Sequence, residues 1–158
     1  MFEEGLMRIL VLHGVNLNMF GRRDPTQYGT ATLDEINKAM ADLGKEIGVA
    51  VTAFQTNFEG EMIERIHRVP DEDFAAVVIN AGAWTHYSHA LADALDILDV
   101  PVIEVHMSNI HRREDFRQKS VLSRVCNGCI TGFGVESYLL GLRAAAALVQ
   151  TLKTEIQV

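Results

Sequence analysis

The sequence predicts a three-layer α/β fold, a five-stranded parallel sheet with helices on both faces. Three observations predict it. Short apolar runs alternate with helical segments, five times over. The third run, FAAVVIN, is apolar almost throughout, as a strand buried on both faces should be. The chain has 158 residues, 48 % of them hydrophobic, which suits one domain over residues 1–158 with a sizeable core.

The elements follow in order. RILVL (8–12) is the first strand. TLDEINKAMADLGKEIG (32–48) is a helix: Thr32 and Glu35 have capping-box spacing, and Leu33, Ile36, Met40, Leu43 and Ile47 step by three and four. Gly48 suits the position just past its end. VAVTAFQT (49–56) is the second strand, and EMIERIHRV (61–69) is a helix stopped by Pro70. FAAVVIN (74–80) is the third strand, and SHALADALDIL (88–98) is helical. PVIEVH (101–106) is the fourth strand, with proline at its start, where the missing N–H is tolerated. EDFRQKSVL (114–122) reads as helix, GCITGFG (128–134) as the fifth strand and ESYLLGLRAAAALVQTLKTE (136–155) as a long closing helix. Length and strand count fit a flavodoxin-like order better than a closed barrel.

Charge and composition narrow the function. The net charge is −7, which argues against a nucleic-acid or anionic-membrane partner. No apolar run approaches membrane-spanning length. The start, MFEEGLMRILVLHG, is acidic with a short apolar run, unlike a signal peptide, and points to the cytoplasm. Five arginines gather in two loops: Arg22 and Arg23, then Arg112, Arg113 and Arg117. Such groups are either solvated loop charge or a holder for a small anion. Cys126 and Cys129 have the spacing of a redox pair. They lie late in the chain, ahead of an apolar run rather than at an early helix N-terminus, and read as two small residues entering a strand.

In open parallel sheets, ligands bind beyond the carboxyl ends of the strands. There this chain places His13 and Asn16, then Asn57 and Glu59, then Asn80, His86 and Ser88, then His106, Ser108, Asn109 and His111. Taken singly, each has a plain structural use. Asn16 and Asn80 can bond turn backbones. His86 can be a satisfied loop histidine, and Glu104 can pair with an arginine. Four histidines, His86, His89, His106 and His111, have spacings that match no familiar metal-ligand set. The loop after the first strand lacks both GxxxxGK[ST] and GxGxxG, which weighs against a nucleotide.

The connection from about residue 13 to 31 exceeds the usual loop length and carries FGRRDPTQYGT, two arginines and a tyrosine between Gly21 and Gly29. A free phenol titrates near pH ~10, so a phenolate base near neutrality needs roughly 4 kcal/mol of stabilisation. A neighbouring arginine supplies it and cannot lose its own charge. The loop reads as a lid carrying a phenolate base.

At these residues the chain resembles the type II 3-dehydroquinate dehydratases. The family's lid pattern G-x-R-x-P-x-x-Y-G stands here as Gly21-Arg22-Arg23-Asp24-Pro25-Thr26-Gln27-Tyr28-Gly29. NLN (16–18), TLDEI (32–36), FQTNFEGE (54–61), INAGAWTH (79–86), IEVHMSNIHRREDFR (103–117) and GFGVESYLLGLRA (132–144) match in the same order. The resemblance implies a flavodoxin-like fold and reversible dehydration of 3-dehydroquinate to 3-dehydroshikimate, with no metal and no organic cofactor. It implies Tyr28 as base, Arg23 as its activator, and Asn16 as holder of a water against the developing enolate. His106 is then the acid for the leaving hydroxyl, oriented by Glu104. Asn80, His86 and Arg117 would bind substrate hydroxyls. Met107 and Ser108 would take the carboxylate, and Arg113 stands near the lid. Asp93 in the family reaches a neighbouring subunit's site, which implies a homo-oligomer built of trimers, commonly a dodecamer.

The chain departs from the pattern in places. His13 and Val15 stand where the family more often has Asn and Pro, Phe58 where it often has His, and Ala81 where it often has Pro. Trp84 and Tyr87 are bulky for residues near a pocket. Two other readings stay open, a paralogue acting on quinate-derived substrate and a flavodoxin-like binding module without catalysis. Retention of Tyr28, Arg23 and His106 weighs against the second, because binding alone needs no acid–base pair.

Overall fold

Five strands form one parallel sheet in the order β2-β1-β3-β4-β5. They are β1 (Met7–His13), β2 (Val49–Gln55), β3 (Ala76–Asn80), β4 (Val102–His106) and β5 (Gly128–Thr131). The helices are α1 (Pro25–Tyr28), α2 (Leu33–Ile47), α3 (Glu59–His67), α4 (His89–Asp96) and α5 (Val135–Ile156). The computed structural model describes residues 5–156; the reading of the acidic N-terminus falls partly on residues 1–4, outside the described residues. Among the described residues, no helix is long and apolar enough to cross a membrane.

Side chains alternate between the two faces of a strand, and the cores follow that period. Ile9 and Val11 of β1 pack with Ile36 and Met40 of α2 and Leu142 of α5. Leu10 and Leu12 pack on the other face with Met62 and Ile66 of α3 and Leu91 and Leu95 of α4. Each of these side chains is fully or almost fully buried, and each contributes about 1.5–3 kcal/mol by leaving water. The apolar pattern of β1 and β3 therefore reflects a sheet covered on both sides, as expected. Gly141 of α5 lets that helix lie close to the sheet: a Cβ there would meet Val105 Cγ1 at 2.6 Å.

The chain enters at β1, moves outward to β2, then returns across β1 to β3. Connections leaving β1 and β3 run in opposite directions, which opens a crevice above their carboxyl ends. The α2 capping box is present, with Thr32 N donating to Glu35 Oε2 at 2.8 Å and Glu35 N to Thr32 Oγ1 at 3.3 Å.

Two segments differ from expectation. The loop between Gly21 and Gly29 is not wholly irregular: Pro25–Tyr28 makes one helical turn, with Asp24 Oδ1 accepting from Thr26 N at 2.9 Å and proline in the first position. Those are ordinary helix-start chemistries. The stretch 114–122 is not a helix; only Asp115–Arg117 forms a 3-10 turn. Ser120 Oγ instead accepts from Leu122 N and Ser123 N, both at 3.1 Å, and Val121 N donates to Thr85 O at 2.8 Å. Local serine bonds of this kind compete with helical ones.

Candidate active site

A cleft opens at the carboxyl ends of β1, β3 and β4. Arg23, Arg113 and Arg117 line it together with Asn16, Tyr28 and Asn80, and among the described residues no carboxylate does. An acidic protein has thus placed three guanidinium groups around one small space, which favours an anion there.

The single helical turn α1 carries Tyr28. Its ring packs against Phe20, with centroids 5.9 Å apart. Two arginines converge on its hydroxyl: Arg23 Nη2 donates at 3.0 Å and Arg113 Nη1 at 2.8 Å. The Arg23 guanidinium also lies 4.0 Å from the ring centroid. Opposite charge at this distance stabilises an ionised phenol when it forms. Arg22 and Arg112 are exposed and line no part of this cleft.

Across the cleft, β4 ends in His106. Its Nε2 lies 2.7 Å from Glu104 Oε1. Glu104 is fully buried and, among the described residues, pairs with no arginine. Thr85 Oγ1 and Ser120 Oγ donate to its Oε1 at 2.5 and 2.7 Å, and Ser123 Oγ to Oε2 at 2.6 Å. Burial pushes this carboxyl up, but hydrogen bonding and charge from His106 and the Ser123 and Thr85 hydroxyls outweigh it, bringing it down to about 2. The carboxylate is therefore ionised and directs one imidazole nitrogen, leaving Nδ1 as the nitrogen available to a ligand.

The remaining expected residues fall as follows. Asn16 has φ 65°, the one positive value outside glycine among the described residues, and its N–H donates to Asn57 Oδ1 at 2.8 Å. Asparagine tolerates this conformation, and such backbone clusters at functional sites. Asn80 is 3 % exposed and accepts from Gly82 N at 3.1 Å. His86 Nδ1 donates to Lys119 O at 2.8 Å, and burial lowers its affinity for a second proton. Met107 and Ser108 line the cleft, where Arg113 Nη1 also reaches Ser108 Oγ at 3.4 Å. Arg117 pairs with Glu114 at 3.3 Å. Asp93 is exposed on α4 and does not reach the cleft of its own chain. Trp84 and Tyr87, read as pocket neighbours, are elsewhere: Trp84 is buried in the α3–α4 core and Tyr87 is exposed.

Ligand atoms of Glu104, His106 and Cys129 lie within 4.8 Å of one another. A cation there would have to displace the His106–Glu104 contact from a carboxylate already accepting from three hydroxyls, so the donor set favours the hydrogen-bonded dyad. Burial and the Glu104 charge push both thiols up, Cys129 to about 11. Neither is a ready nucleophile.

The family model described as "Dehydroquinase class II" matches residues 7–146. The chain belongs to the class II dehydroquinases. It is 59 % identical over 147 residues to a 3-dehydroquinate dehydratase of Leptothrix cholodnii, covering 93 % of this chain and 99 % of that one. The corresponding protein of Pelobacter propionicus is 60 % identical over 144 residues, covering 91 % and 97 %. The type II dehydroquinase crystal structure from Propionibacterium acnes superposes with a TM-score of 0.85 at 44 % identity, covering 92 % of this chain and 99 % of that one.

Several polar residues of this dehydroquinase escaped sequence reasoning. Thr85, Ser120 and Ser123 surround Glu104 but carry no distinctive local pattern. Asn37 and Tyr138 lie behind Asn80. A usable signal existed for Asn37, a polar residue four positions after Leu33 inside the apolar stripe of α2.

Proposed function

We propose that this dehydroquinase converts 3-dehydroquinate to 3-dehydroshikimate by anti elimination through an enolate, the dehydration step of the shikimate pathway. Tyr28, as phenolate, takes a proton from the carbon beside the substrate ketone. The C–H electron pair becomes the enolate double bond, and charge moves to the ketone oxygen. Asn16 holds a water against that oxygen. The enolate then collapses, its electrons form the conjugated double bond, and the C–O bond to the leaving hydroxyl breaks. His106 gives that oxygen a proton, and water departs. Glu104 orients the ring and stabilises its charged form. Asn80, His86 and Arg117 bind substrate hydroxyls, and Met107 and Ser108 take the carboxylate. Neither a metal nor an organic cofactor takes part in this scheme.

One observation carries the reading: both Arg23 and Arg113 donate to Tyr28 Oη at the mouth of the cleft that holds the His106–Glu104 dyad. A binding loop has no need to aim two fixed cations at one phenol. The activity is followed as conjugated-enone absorbance after adding 3-dehydroquinate. Tyr28→Phe keeps the ring packing against Phe20 and removes the ionisable oxygen. Its turnover should fall by at least ~10²-fold with the fold intact; near-normal turnover would sink the mechanism. The family resemblance supports a trimer-based particle, commonly a dodecamer, in which Asp93, exposed on α4, completes a neighbouring site. The same reaction serves biosynthetic and quinate-degrading use.

A further inference from the structure

Behind the cleft, four polar side chains form one line: Asn37 on α2, His13 at the end of β1, Tyr138 on α5 and Asn80 at the end of β3. His13 and Tyr138 are both 0 % exposed. His13 Nε2 lies 2.8 Å from Asn37 Oδ1, and His13 Nδ1 lies 3.0 Å from the Tyr138 hydroxyl. Asn80 Nδ2 donates to that hydroxyl at 3.0 Å.

The direction of each bond follows from one end. Gly82 N donates to Asn80 Oδ1 at 3.1 Å, so the amide cannot turn over without opposing two donors or two acceptors. Asn80 Nδ2 is then the donor to Tyr138. The Tyr138 hydrogen goes to His13 Nδ1. His13 carries its own hydrogen on Nε2 and gives it to Asn37 Oδ1. One tautomer satisfies every bond. The other would aim two N–H groups at the phenol oxygen and leave the phenol hydrogen buried without an acceptor. Burial also keeps the ring neutral, holding its affinity for a second proton at about 4.

None of the steps proposed above uses His13, Tyr138 or Asn37. We infer that His13 is a positioning residue for substrate binding: it fixes the Tyr138 hydroxyl as acceptor for Asn80 Nδ2, so that the amide oriented by Gly82 N–H is held at both ends with its second N–H kept for a substrate oxygen. This rests on the reading that Asn80 meets substrate.

The test compares KM for 3-dehydroquinate in folded variants, because KM does not depend on the folded fraction. Asn80→Ala should raise KM roughly fivefold or more, with a smaller change in kcat, as loss of uniform binding requires. His13→Leu and Tyr138→Phe should each raise it by a comparable factor, and the double variant should be no worse than the larger single effect. His13→Asn puts a carbonyl oxygen near the former Nδ1 position and should return KM to within about twofold of the parent. A packing role alone would lower active protein without moving KM, and asparagine would rescue no better than leucine. A raised KM in Asn80→Ala with an unchanged one in His13→Leu would overturn the inference alone. An unchanged KM in Asn80→Ala would remove the reading of Asn80 and the inference together. The parent enzyme supplies a second measurement that needs no variant: nitrogen NMR of labelled histidine should find His13 protonated on Nε2. Protonation on Nδ1 would overturn the proposed line of bonds.

Discussion

Arg113 Nη1 and the Tyr28 hydroxyl, 85 residues apart in sequence, lie 2.8 Å apart, closer than the 3.0 Å between Tyr28 and its loop neighbour Arg23. Tyr28 is thus held from two sides, by its own loop and by the segment after β4.

Removing either guanidinium should therefore shift the pH at which kcat rises. In Arg113→Ala and Arg23→Ala the acidic limb should move to higher pH, because each removes a positive charge that favours the phenolate. Arg23→Lys should recover only part, because an ammonium lacks the planar fork. Arg22→Ala should move it less, since Arg22 is exposed and outside the cleft. The measurement is a pH–kcat profile at saturating substrate. Profiles that drop in height without moving along the pH axis would reassign both arginines to substrate binding.

Two buried groups should give acid sensitivity in adjacent windows. His13 titrates near 4 in the fold against an ordinary 6.5. The unfolded chain binds this proton first, so stability is full above 6.5 and is lost as pH falls through 4. The loss should be about 3 kcal/mol, and His13→Asn should abolish it. Glu104, held at about 2 against 4.5, contributes stability above 4.5 that is lost as pH falls through 2. Thermal unfolding from pH ~7 to ~2 in the parent, His13→Asn and Glu104→Gln checks both windows.

No imine should form during turnover. The chain has four lysines, Lys38, Lys45, Lys119 and Lys153, and none lines the cleft. Borohydride added with substrate should leave activity intact and no mass adduct. An adduct on a lysine peptide would require a different mechanism.

Activity should follow assembly. If Asp93 completes a neighbour's site, dilution below the trimer's dissociation range should lower specific activity in step with sedimentation. A fully active monomer would remove the role proposed for Asp93.

Much of this was legible along the chain. Alternating apolar runs declare β1 and β3, Thr32 and Glu35 declare the start of α2, and the rule of strand ends directs attention to Asn16, Asn80 and His106. The helix over 114–122 was not legible correctly, because Ser120 and Ser123 bind Glu104 and local backbone rather than solvent. Their partner lies 16 and 19 residues away, on a strand whose register no local pattern encodes.

By itself the sequence determined the order of elements, the period of each apolar face, and the residue types available at the sheet edge. Those are properties of near neighbours, governed by helix and strand repeat and by capping chemistry. The tertiary structure alone decided which distant groups meet: Arg113 with Tyr28, three hydroxyls with Glu104, and Tyr138 with both His13 and Asn80. The physical reason is that hydrogen bonds and charges act over about 3 Å in space, while the chain separates these partners by tens of residues, and only the stacking of helices on a registered sheet brings them within that reach.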